Sequence, residues 1–260
     1  MAWSEQRAVG IFAHHDGGDV PLGAGALVTP GLVLTARGVV TSGASLVVCT
    51  RDGRAHPATH LPWRLGDLDV ALLSLARPLD LRLAHPLLLL ADRPLAAHDP
   101  WEADGYLYTM NGALVDPWRK VGGRARSYAP GGERLSLDVT TKLSAGDGLP
   151  GAAVVVGHQV VGVVGSGVME SAGDTLTATP VGRFLGDAAF REALGISAAD
   201  AAFERRVLTT VTKARSLLAE HAPLREVLAA HLAIVGDVAA ELVRRRSVCD
   251  LAGALDAADL

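Results

Sequence analysis

As far as about residue 182 the chain repeats one local pattern, a short run of Val, Leu, Ile or Ala closed by Gly, Pro or Asp. AVGIFAH, GAGALVTP, LVLTA, SLVVCT and DVALLSLA follow one another in this way, and after HDPWEADGY come YLYTM, KVGGRARSY, RLSLDVT, AAVVVG, QVVGVVGSG and TLTATPV. Runs this short, spaced roughly 8 to 12 residues apart with turn residues between them, suit the strands of a sandwich or barrel and leave no room for long helices. Several turns are explicit: DGGD after His15, TPG at 29–31, RDG at 51–53 and PGG at 130–132. The segment from Pro86 to Trp101, with three prolines, reads as a connector between two sub-barrels. Aromatics are only 4% of the 260 residues, so the core must be built from Val, Leu and Ala. No internal repeat or low-complexity tract is visible.

Beyond Gly195 the pattern changes. Gly and Pro nearly vanish, Ala, Leu, Arg and Glu take over, and apolar residues recur at helical spacing, as in Val207, Val211, Ala214 and Leu218. Ser197 with Asp200 resembles a capping box. Pro223 suits the first turn of a second helix, Asp237 the cap of a third, and Ser247 with Asp250 the start of a fourth. The expected organisation is a β domain over residues 1–195 and a small helical bundle over 196–260.

Composition narrows the function. Half the chain is hydrophobic (49%), a fifth charged (20%), and the mean hydropathy is +0.28, which excludes a disordered chain. A net charge of -4 and a pI near 6.1 offer no basic field for a phosphate backbone, so no nucleic-acid partner is expected. The longest apolar runs fall well short of the roughly 20 residues of a spanning helix, and MAWSEQRAVG lacks the apolar core of a secretion signal, so a cytoplasmic protein without membrane contact is expected. Cys49 and Cys249 lie far apart with no CxxC spacing, which gives neither a disulfide framework nor a thiolate metal site.

Three strings carry a family likeness: GAGALVTPGLVLTARGVV (23–40), DVALLSLARPL (69–79) and LSAGDGLPGAAVVVGHQVVGVVGSG (143–167). In order and separation they resemble the trypsin-like, chymotrypsin-fold serine peptidases over roughly residues 8–185, which implies two six-stranded β-barrels, a mostly β fold followed here by the helical bundle. In that family the first string carries the general-base His in Leu-Thr-Ala-Ala-His, the second the orienting Asp, and the third the nucleophile in Gly-Asp-Ser-Gly-Gly-Pro. Carried over, Asp69 matches the orienting Asp, Gly38 stands at the His and Gly148 at the Ser, with Gly146 and Asp147 as the remnant of the oxyanion loop. Acyl transfer needs a nucleophilic oxygen or sulfur and a base to take its proton, and glycine supplies neither. Leu149, Pro150 and Gly151 replace Gly-Gly-Pro, and Pro150 removes an N–H, so a rebuilt oxyanion turn is expected.

Other groups that could stand in for the missing base or nucleophile have plainer roles. His56 and His60 lie between the Gly38 and Asp69 regions but read as strand or loop histidines, and Ser144 lacks a positioned base. His14 and His15, adjacent on a strand, point to opposite faces, so with Asp16 and Asp19 they mark a turn and no metal is expected. Arg37, beside Gly38, is placed to satisfy the orphaned Asp69. The resemblance puts Lys142 at the base of the specificity pocket, where it would accept an acidic group; as a plain strand-end lysine it would face water. Arg244, Arg245 and Arg246 read as a helix end or a partner-binding patch.

The expectation is therefore a pseudopeptidase without cofactor, its β domain a scaffold or peptide binder. Its helical domain, which resembles the effector-associated, death-fold-like adaptors of bacterial conflict systems, would recruit a protein partner. The alternative is a serine-type endopeptidase with a rearranged site.

Overall fold

The computed structural model describes residues 7–15, 18–40, 45–63, 68–81, 90–108, 114–141, 143, 147–157, 159–166 and 175–196. The chain divides into two compact units, Met1–Asp80 with Leu89–Leu194 and Leu81–Leu88 with Gly195–Leu260. Nearly all described residues belong to the first; the expected helical bundle lies outside them.

The first six strands, β1 (Ala8–His15), β2 (Gly18–Thr29), β3 (Leu32–Thr35), β4 (Ser45–Cys49), β5 (Ala55–His60) and β6 (Ala71–Leu75), close into an antiparallel barrel in the order β1-β2-β3-β6-β5-β4. The second barrel is built from β7 (Pro100–Tyr108), β8 (Leu114–Ala125), β9 (Leu135–Val139), β11 (Ala153–Val156), β12 (Gln159–Val164) and β13 (Thr175–Pro180), with a two-residue β10 (Asp147–Gly148) attached to β7. Its ring runs β7-β8-β9-β13-β12-β11 and is closed by the β7–β8 and β7–β11 pairings. This is the strand order of the first barrel repeated, although the sequence carries no visible repeat.

The two-residue period of the expected strands is met where one face is wet. In β13, Leu176, Ala178 and Pro180 point inward while Thr175, Thr177 and Thr179 face out, and in β9 Leu135 and Leu137 alternate with Ser136 and Asp138. β1 differs, its first six residues all being buried, because its outer face meets the second barrel. There the Tyr106 ring lies on Gly10, its edge against Phe12 at 5.6 Å between centroids, and its hydroxyl donates to the Cys49 carbonyl at 3.2 Å. A Cβ on Gly10 would overlap the ring, so glycine is what lets the barrels approach this closely.

Two elements depart from expectation. Pro100–Tyr108 is a strand from its first residue, so the connector ends before Trp101, whose side chain is among the largest fully buried in the core. β5, in the segment AHPATH, is absent from the apolar runs that mark the other strands, and its histidines fit strand or loop equally; only Ala58 is buried there, so the segment has little apolar pattern to betray it. Two short helices, α1 (Gly182–Leu185) and α2 (Ala188–Ala193), follow β13 and precede the expected helical region. Asp187 caps α2 by accepting the Phe190 N–H at 2.8 Å, and it also accepts the Trp63 indole N–H at 2.9 Å. Trp63 and Phe184 each stack near Phe190 at 5.0 Å, so the cap ties these helices to the first barrel. Among the described residues no helix is long and apolar enough to cross a membrane.

Candidate functional site

β3 ends at Thr35, which pairs with Ala71 at the start of β6. That register sets the segment leaving β3 beside the segment entering β6. The chain leaves β3 through a single 3₁₀ turn, Arg37–Val39, closed by Val39 N–H to Ala36 O (3.1 Å) and Val40 N–H to Arg37 O (3.0 Å). Asp69 stands two residues ahead of β6. Its Oδ1 accepts the Gly38 N–H at 2.9 Å, so the first two of the aligned triad positions are in direct contact.

The other carboxylate oxygen faces the second barrel. Oδ2 accepts both the backbone N–H and the hydroxyl of Ser166, each at 2.6 Å and from 97 residues away. Ser166 follows the end of β12 and is fixed there because the preceding Gly165 donates its N–H to Thr177 O of β13 (3.1 Å). One half-buried carboxylate thus joins the loops of both barrels. Burial pushes the Asp69 acid up, but the Ser166 hydroxyl, the Ser166 and Gly38 N–H groups and the Arg37 charge outweigh it and hold the carboxyl below its usual value.

The expected rescue of Asp69 by the Arg37 guanidinium therefore takes another form. Arg37 acts on Asp69 through its charge, the least of the four lowering influences, and the hydrogen bonds that dominate come from Ser166. Sequence reasoning missed Ser166. The only local signal is a serine in the Gly-Ser-Gly that closes an apolar strand, and nothing in that string points to Asp69.

Gly148 lies in β10, buried and paired with Tyr106 of β7, and Asp147 pairs with Leu107. Since β8 occupies the other edge of β7, β10 shares an edge with β11. Between them Leu149–Ala152 forms a turn closed by Ala152 N–H to Leu149 O (2.8 Å), with Pro150 at its second position and Gly151 at its third with φ +83°. This is the pattern of a type II turn, in which Pro presets the first corner and only glycine enters the second easily. Pro150 is thus accommodated without strain, and its carbonyl accepts the Ala24 N–H of the first barrel at 2.8 Å. Gly151 donates to Val164 O at 2.9 Å, two residues before Ser166, so the turn after Gly148 and the donor to Asp69 hang on the same strand end.

The remaining candidates do not gather at this site. His56 and His60 lie on β5, where His60 pairs with Leu73, and His14 forms an exposed cross-strand pair with Asp19, Nδ1 to Oδ1 at 2.7 Å. Among the described residues no group of three His, Cys, Asp or Glu could hold a metal ion. Lys142, Ser144, Gly146, Arg244, Arg245 and Arg246 lie outside the described residues.

Two closed six-stranded antiparallel barrels of identical strand order are the trypsin-like double-barrel fold. Solved structures with that fold include the active form of Rv3671c protease from M. tuberculosis, 19% identical, covering 72% of this chain and 81% of that one with a TM-score of 0.53. They also include kallikrein-related peptidase 10, at 17% identity, 76% and 99% coverage and a TM-score of 0.55, and its complex with Zn2+, at the same identity and coverage and a TM-score of 0.56. No protein family profile and no curated protein matches the chain.

Proposed function

We propose that the chain is a catalytically silent trypsin-like protein, a pseudopeptidase whose double barrel serves as a scaffold or peptide-binding module. The observation that carries this reading is the state of Asp69. Its carboxylate contacts position 38 through the main chain alone, since the glycine there carries no side chain that could present a base to it. With glycine also at 148, the two groups that perform acyl transfer in the trypsin-like family have no counterpart at the aligned positions. On the same reading, residues 196–260 recruit a protein partner through a surface that includes Arg244, Arg245 and Arg246, in an intracellular defence or signalling assembly of the kind the sequence resemblance implies.

The test is a serine-directed fluorophosphonate applied to the purified full chain beside an amidase and esterase screen. No turnover and no covalent adduct are expected. Stoichiometric labelling of one hydroxyl would overturn the reading in favour of a rearranged serine-type endopeptidase.

A further inference from the structure

His14 stands in a row of three. β1 runs between β2 and β4, and the two registers place Asp19 of β2 across from it on one side and Ser45 of β4 on the other. Residues directly opposite on neighbouring strands share a face, with Cβ atoms about 4.5 to 5.5 Å apart. All three are exposed, and their face is the outer one, since Ala13 and Leu46 of the adjacent row are buried. His14 Nδ1 meets Asp19 Oδ1 at 2.7 Å. A carboxylate only accepts, so Nδ1 carries the proton and the lone pair of the neutral ring is left on Nε2. The His14 and Asp19 side chains are 62% and 41% exposed, which opens that nitrogen to a solute from water.

We propose that Asp19, His14 and Ser45 form a phosphoryl-acceptor site, a modification site separate from the aligned triad. The donor class is a phosphoramidate, such as a phosphohistidine on a partner protein. The Nε2 lone pair forms a bond to phosphorus while the donor's P–N bond breaks, its electron pair leaving on the donor's protonated nitrogen as a neutral amine. The His14 ring becomes a cation in this step and keeps its Nδ1 proton on Asp19, so the carboxylate stabilises the charge as it develops. Ser45 supplies a hydroxyl that donates to a phosphoryl oxygen. Acyl transfer to that serine would need donors for an oxyanion as well, whereas phosphoryl transfer asks for little beyond positioning and charge. The group modified is a ring nitrogen, so this inference and catalytic silence stand or fall separately: a fluorophosphonate-labelled hydroxyl would end the silent reading and leave this one in place.

The test treats the full chain with potassium phosphoramidate and maps acid-labile phosphate by mass spectrometry at neutral pH, with His15, the next residue along the strand, as internal reference. Phosphate is expected on His14 about tenfold faster than on His15, and Asp19→Asn should slow it by about tenfold, as loss of an orienting carboxylate does elsewhere. The adduct of Ser45→Ala should lose its phosphate faster than that of the parent. No phosphate on His14, equal rates at His14 and His15, an unchanged rate in Asp19→Asn, or an equally long-lived adduct in Ser45→Ala would each overturn the inference.

Discussion

Asp69→Asn isolates the carboxylate that joins the two barrels. The change is nearly isosteric, but Asp69 accepts from Gly38 on one oxygen and from two donors of Ser166 on the other. An amide has a single acceptor oxygen. If that oxygen faces Ser166, the Asn NH₂ points at the Gly38 N–H; if it flips, the NH₂ meets the Ser166 N–H, which cannot turn away. One donor–donor clash is unavoidable, and every surviving bond is weaker for losing the charge.

Hydrogen bonds to a charged group are worth about 1.5 to 3 kcal/mol each when buried. Asp69 is half-buried and Gly38 is open to water, so a net cost of about 2 kcal/mol is the reasonable figure after screening. For a domain of this size that lowers the thermal midpoint by about 4 to 8 °C. The pH dependence supplies a sharper criterion. A carboxyl held low in the folded state stabilises it above the unfolded value of about 3.9, and that stability fades as pH falls through the lower folded value. Asp52 and Asp187 are also held low, but they are present in both proteins and cancel in the difference. The gap between parent and Asp69→Asn should be full at neutral pH and close below about pH 4. A variant as stable as the parent at neutral pH, or a gap that persists unchanged in acid, would refute the reasoning.

Other expectations follow from the same geometry. Gly151→Ala should cost about 2 kcal/mol or more by thermal denaturation, since φ is +83° and its Cβ would overlap Thr35 Oγ1 and Ala24 O. Asp187→Ala removes the α2 cap and the Trp63 indole acceptor together, so a loss of about 1 to 2 kcal/mol and a changed tryptophan emission are expected. Reversing Arg244, Arg245 and Arg246 to Glu should weaken complexes captured by the intact chain and flatten their salt dependence, measured by binding at two ionic strengths.

Most of the strands could be read locally. Alternation of apolar and polar residues, broken by Pro-Gly and Asp-Gly, sets strand and turn wherever one face is wet, as in β9 and β13. It fails for β5, where His56, Pro57 and His60 carry no apolar rhythm and pairing with β4 and β6 makes the strand. It fails again at PWEAD, whose Pro, Glu and Asp look like a loop until both edges of β7 are occupied. The three aligned positions Gly38, Asp69 and Gly148 were legible as residue types in ordered strings. Their environment was not.

What the amino-acid order determined by itself is therefore the inventory: short strands, their turn residues, an acid without the expected imidazole, and glycine where a nucleophile is expected. These are properties of neighbouring residues, and local sterics and periodicity encode them. Tertiary structure alone decided that Ser166 binds Asp69 from 97 residues away, that Pro150 turns the chain without strain, and that both barrels share one strand order. Each depends on which strand edges meet when a sheet closes on itself, and closure is fixed by burying apolar faces and pairing every backbone edge across the whole barrel, a condition no single segment carries.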